Sequence, residues 1–167
     1  MYLNWRITDD LSGLTVKEFN EEWNGIYGFM ELKIDKDVVG YIPPLNCELE
    51  GNENISFWVQ NVIECGIALL NNECYKCQLL SLNLLTIYIT PKRTVEILLK
   101  HEDGHIEWKQ ELPYYKIYNE IFEVYKRFEN EIIEINNLLL ETNTLKRINY
   151  LFKEYERLYF ACRTQRK

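Results

Sequence analysis

Asp103-Gly104 stands between two runs that alternate apolar and polar residues, TVEILLKH (94–101) and HIEWKQEL (105–112). Alternation of period two puts every second side chain on one face of a strand. An Asp-Gly pair between two such runs predicts a hairpin, because a two-residue type I′ turn needs positive φ at both central positions. The predicted register sets Glu102 opposite His105, His101 opposite Ile106, Lys100 opposite Glu107 and Leu99 opposite Trp108. Val95, Ile97, Leu99, His101, Ile106, Trp108 and Leu112 then share one face. Lys100 and Glu107 become an opposed charge pair worth about a few tenths of a kcal/mol.

The same residues spell His-Glu-x-x-His, from His101 to His105. That pattern binds zinc only on a helix, where i and i+4 share a face and the Glu can act as general base. On a hairpin the two histidines point to opposite faces and cannot share a metal. Cys74-Tyr75-Lys76-Cys77 offers a second set, but its gap to His101 is long for a zinc finger. Reduced thiols at a helix end and a strand start are the expectation there, with no metal and no cofactor. The chain has no glycine-rich phosphate loop and no Gly-x-Ser-x-Gly elbow, so no catalytic residue is assigned. Paired carboxylates, invisible as pairs in a sequence, keep an enzyme with a carboxylate or metal site as a third functional class.

Around the hairpin the chain alternates strand and helix signals. Residues 2–7 and 28–34 read as strands. Thr15 and Glu18 form a capping box for a short helix that Asn24-Gly25 would stop in a left-handed turn. Asp35-Lys36-Asp37 turns the second strand into a partner at VVGYI. A helix capped by Asn54 or Ser56 carries a broad apolar stripe, and its Gly66 predicts close packing against the sheet. LLSLNLLTIYIT reads as one further strand, and Pro113 suits the first turn of a helix. From Tyr114 to Leu139 a seam at spacings of three and four predicts a long helix, widened by Ile117, Val124 and Leu138. A second helix repeats the spacing at Leu145, Ile148, Phe152, Tyr155, Tyr159 and Cys162. The fold expected is α+β: one antiparallel sheet of about five or more strands, an amphipathic helix and a C-terminal antiparallel helical hairpin. With 167 residues, a single domain is expected over 1–167, mainly sheet with two helices over 1–112 and the helical hairpin over 113–167. The helical pair is read as core, with a homodimer or adaptor built on it as the alternative.

Charge narrows the partners. From Asn143 onward there are seven basic and two acidic side chains, a balance of +5, so the rest of the chain carries −12 within a total of −7. A body this acidic repels nucleic acid and favours basic partners. No apolar run is long enough for a membrane span, and no signal peptide is visible. Five cysteines without framework spacing fit a reducing cytoplasm.

The middle third, GNENISFWVQNVIECGIALL followed by LTIYITPKRTVEILL, resembles small immunity proteins of bacterial polymorphic-toxin and contact-dependent inhibition systems. Ser56, Phe57 and Trp58 stand at the helix opening that carries the likeness, after an acidic loop and before paired strands. The resemblance implies a non-enzymatic protein that neutralises a cognate toxin, such as a basic nuclease domain, by binding and occluding it. Acids near the helix entry and in the first hairpin turn are then the expected contacts: Asp35, Asp37, Glu48, Glu50 and Glu53.

Overall fold

A two-residue turn, Asp35-Lys36, closes the first hairpin and sets the register of the first sheet. The computed structural model describes residues 1–23, 25–45, 51–79, 85–89, 94–100 and 103–164. Strands β1 (Tyr2–Ile7), β2 (Tyr27–Ile34) and β3 (Asp37–Gly40) lie side by side, and the short β4 (Glu53–Asn54) pairs with the start of β2. Leu3, Trp5, Met30, Leu32, Ile34 and Val39 face the core from this sheet. Helix α1 (Val16–Glu22) opens on the capping box: Thr15 Oγ1 accepts from Glu18 N at 3.2 Å, and Glu18 Oε2 accepts from Thr15 N at 2.8 Å. It ends on an extended Trp23, not in a left-handed turn. Asn24 lies outside the described residues, and Gly25 is small for another reason: a Cβ there would meet the Asn54 side chain at 2.3 Å.

Helix α2 (Ile55–Asn71) is the hub. It is buried on most of its circumference, as expected of a helix apolar nearly all round. It touches β2 of the first sheet, β5 and β6 of the second, and both long C-terminal helices. Asn54 caps it by accepting from Phe57 N at 2.9 Å; Ser56 instead takes the Ile26 amide at 3.2 Å and docks the helix on β2. Gly66 packs against helices, where a sheet contact was expected: a Cβ would lie 2.3 Å from Ile121 Cδ1 and 2.8 Å from the Tyr155 ring.

The single sheet of five or more strands gives way to two antiparallel sheets of four among the described residues. A 17-residue helix separates β4 from β5, and at about 1.5 Å per residue it carries the chain roughly 25 Å from the first sheet. The second sheet orders β5 (Tyr75–Leu79), β6 (Leu85–Ile89), β7 (Thr94–Lys100) and β8 (Ile106–Pro113). The run expected as one strand from residue 79 therefore contributes the end of β5 and all of β6. The β7–β8 register holds from Thr94↔Pro113 to Leu99↔Trp108, then shifts so that Lys100 meets Ile106. Among the described residues of the turn only Gly104 has positive φ, and Asp103 accepts from His105 N at 2.8 Å, so the two-residue type I′ geometry is not adopted. The Lys100–Glu107 opposition is lost; Lys109 pairs diagonally with Glu96 instead. The shift also leaves Ile106 exposed. The predicted places of His101 and Glu102 lie outside the described residues.

Pro113 is the last residue of β8, opposite Thr94, and α3 (Tyr115–Asn136) starts two residues later. Asn136 ends it. Its Nδ2 donates to Leu11 O and Leu14 O, and its Oδ1 accepts from Leu138 N, which turns the chain into a 3-10 helix (Asn137–Glu141). Leu138 consequently points out and is not part of the apolar stripe. Helix α4 (Asn143–Thr164) runs back antiparallel to α3, joined by aromatic rings: Tyr125 stacks on Phe152 at 3.8 Å, and Phe122 meets Tyr155 and Tyr159. The seam residues Ile121, Tyr125, Phe128 and Ile132 are buried in the chain's own core, which is continuous across both sheets and all four α-helices.

Candidate protein-binding surface

The β2–β3 ribbon places the first predicted acids. Asp35 sits at φ 53°, a left-handed conformation that Asp tolerates better than most residues. Its carboxylate lies 3.3 Å from Lys116 Nζ at the start of α3 and stays largely exposed. Asp37 opens β3 and is exposed. Glu53 lies at the other end of the same edge: Asp37 pairs with Ile34, whereas Glu53 pairs with Gly28. Six residues of strand make that separation about 20 Å. Glu53 also has structural work, accepting from the buried Trp58 Nε1 at 3.2 Å. Glu48 and Glu50 lie outside the described residues. The structure thus brings Asp35 and Asp37 together at one tip and sets Glu53 apart.

Three exposed apolar side chains in and just after β3 escaped the sequence reading. Val38 is 52% exposed, Tyr41 62% and Leu45 90%. A signal existed for the first: Val38-Val39 are consecutive on a strand, so one of them must face away from the core. Val39 faces in and Val38 faces out. Tyr41 and Leu45 flank Pro43, whose carbonyl accepts from Arg6 Nη1 at 2.8 Å and pins the chain after β3 to the first strand.

A second polar group lines the opposite edge of this sheet. Arg127 of α3 lies over the rings of Tyr2 and Trp5 at 4.7 and 4.6 Å and donates to Leu3 O. Glu120 accepts from Leu3 N at 2.9 Å, and Glu131 accepts from Trp5 Nε1. Burial pushes both carboxyls above the usual glutamate range, against the lowering effect of these hydrogen bonds and of Arg127. Their positions are 11 residues apart on one helix, about 16 Å along its axis. Paired-carboxylate hydrolysis needs roughly 5–9.5 Å, so these two do not form such a pair.

The raised carboxyl makes a pH prediction. A group whose folded pKa lies above its unfolded value favours the fold while protonated and loses that contribution as pH rises through the folded pKa. Glu131→Gln keeps an oxygen for Trp5 and removes the ionisation. Urea midpoints should be nearly equal for variant and parent at pH 4, with the variant higher at pH 7. A lower midpoint at pH 7 would show that the ionised carboxylate stabilises the fold.

Of the residues in the metal arrangements weighed in the sequence, His101 lies outside the described residues. Cys74 is exposed and Cys77 is buried in β5, while His105 is exposed beside the β7–β8 turn. No group of three metal-ligating side chains occurs among the described residues. No helix among them is long and apolar enough to cross a membrane. No family model, curated protein or solved structure matches this chain.

Proposed function

We propose that this protein is an immunity protein: it binds a basic toxin domain in the cytoplasm of the cell that makes it and blocks that domain by occlusion. The observation that supports this most is the β2–β3 ribbon, where Asp35 and Asp37 hold the tip, exposed Val38 follows on β3, and exposed Tyr41 and Leu45 come after its far end. Apolar and aromatic anchors supply affinity at a protein interface, and unlike charges supply encounter rate and specificity. The span from Asp37 to Glu53 fits within one interface patch of ordinary size. The likeness of the Ser56–Trp58 opening to immunity proteins supports the same reading. An adaptor or homodimer would draw on Ile133, Leu138, Tyr150 and Phe160, which remain exposed after the helical seam is buried.

The test is co-expression. Tagged protein is used to capture a partner from its own cells at low salt, and the captured domain is then expressed alone and together with this chain. Growth arrest by the domain, relieved by this chain, supports the reading; a captured partner whose expression is harmless, or whose arrest persists, overturns it. A charge variant follows for the purified pair. Asp35→Asn with Asp37→Lys removes two negative charges from the tip and adds one positive, a shift of +3, using a residue that tolerates left-handed backbone at 35. Association at low salt should slow by about tenfold, and the gap should close in high salt. Equal rates at every salt concentration would remove Asp35 and Asp37 from the interface.

A further inference from the structure

The two edges of the first sheet are treated differently, and the difference follows from the register. Tyr41 N donates to Met30 O at 2.9 Å. Hydrogen-bonded and non-hydrogen-bonded pairs alternate along an antiparallel ladder. With Glu31↔Gly40, Leu32↔Val39, Lys33↔Val38 and Ile34↔Asp37 in register, Val38 and Gly40 are the pairs that do not bond across. Their N–H and C=O groups therefore point away from β2. Among the described residues, β3 pairs with no strand except β2. The same count along β1, starting from Thr8 N to Tyr27 O, turns Leu3 outward, and there α3 meets it: Glu120 takes its N–H and Arg127 its C=O. At Leu3 the β1 edge is closed by side chains, whereas the β3 edge presents exposed backbone at Val38 and Gly40 beside the exposed side chains of Val38 and Tyr41.

We propose that β3 is a docking edge that takes up an extended, basic segment of the partner as an added strand. This rests on the reading of the ribbon as a binding surface, and it names the mode of binding. Strand addition draws affinity from main-chain hydrogen bonds and specificity from alternate side chains. The acids choose the occupant. Asp37 stands exposed at the start of the edge, Asp35 is paired with Lys116, and the whole chain carries −7, so a lysine- or arginine-bearing strand is attracted, whereas a second copy brings the same net charge.

The register also supplies a clean variant. The Val38 N–H points outward, so Val38→Pro leaves every β2–β3 bond in place and removes only the donor that an incoming strand would use, as proline on a strand edge does. The probe is a capped octapeptide of alternating lysine and valine, titrated into isotope-labelled protein and followed by amide NMR. Shifts and slowed exchange should concentrate at Val38 and Gly40. Binding should weaken by about tenfold or more for Val38→Pro, whose Val39 amide stays protected, and for a glutamate–valine peptide. A peptide methylated on every amide nitrogen tests the same bonds without altering the protein and should not bind. Shifts elsewhere, no shifts, or equal affinity for the methylated peptide overturns strand addition. Protection of Val38 and Gly40 without peptide, in a species of doubled mass, overturns it in favour of self-pairing. Neither result bears on whether a toxin's growth arrest is relieved, so the two readings fail separately.

Discussion

Tyr155→Ala is expected to lower the free energy of unfolding by about 3–5 kcal/mol, the range for deleting a large aromatic from a packed core. Domains of this kind hold about 5–15 kcal/mol in total. Tyr155 is fully buried and is the largest such side chain among the described residues. Its ring touches Phe122 and Phe152 and lies over Gly66, and its hydroxyl donates to Tyr118 O at 2.8 Å. Truncation therefore empties the junction of α2, α3 and α4 at once. Tyr155→Phe keeps the ring and loses one hydrogen bond, at about 0.5–1.5 kcal/mol. Urea unfolding reads both: the midpoint should fall in that order with the slope unchanged. Equal, small losses for the two variants would mean that the junction refills and that the helices are held elsewhere.

Gly66→Val is the complementary insertion. Glycine inside an exposed helix costs about 1 kcal/mol against alanine, so at a solvent-facing position the change to alanine would stabilise. Here the first added carbon already lies 2.3 Å from Ile121 Cδ1 and 2.8 Å from Tyr155 Cε2. The isoleucine methyl can rotate away, but a fully buried ring has nowhere to go. Overfilling a packed core costs about 1–3 kcal/mol, and valine's two further methyls place the expected loss at about 2 kcal/mol or more. The sites are in contact, so their effects should not add. In a Tyr155→Ala background Gly66→Val should cost much less than in the parent, and additive losses would argue that the valine clashes with α3 alone.

That junction shows what the sequence conveyed and what it withheld. The helical seam was legible because Tyr125, Phe128, Ile132 and their neighbours repeat at the helical spacing, and periodicity reports burial directly. Gly66 was legible as a close approach, but its partner was not. A missing side chain says that something comes near without saying from which element. The two sheets were merged for a similar reason. Strand signals report local alternation, and nothing in β4 or β5 tells which ladder each will join once a long helix intervenes. At the hairpin, the register followed from Asp103-Gly104 up to Leu99↔Trp108 and failed at Lys100, where the bulge depends on φ at Asp103. Of the proposed surface, Asp35 and Asp37 were readable as a turn. Val38-Val39 told that one of the pair faces out without telling which, and Tyr41 and Leu45 gave no signal, because an exposed apolar side chain looks in sequence like any core residue.

The stopper that Glu120 and Arg127 place on the β1 edge limits assembly as well as pairing. A sheet with two open sides can add copies without end, which is the route to fibres. With the Leu3 N–H and C=O already taken, a strand adding along β1 would find no bonds there, so growth on that side is hindered. The two side chains that take the Leu3 backbone groups thus guard against polymer as much as they hold a strand in place.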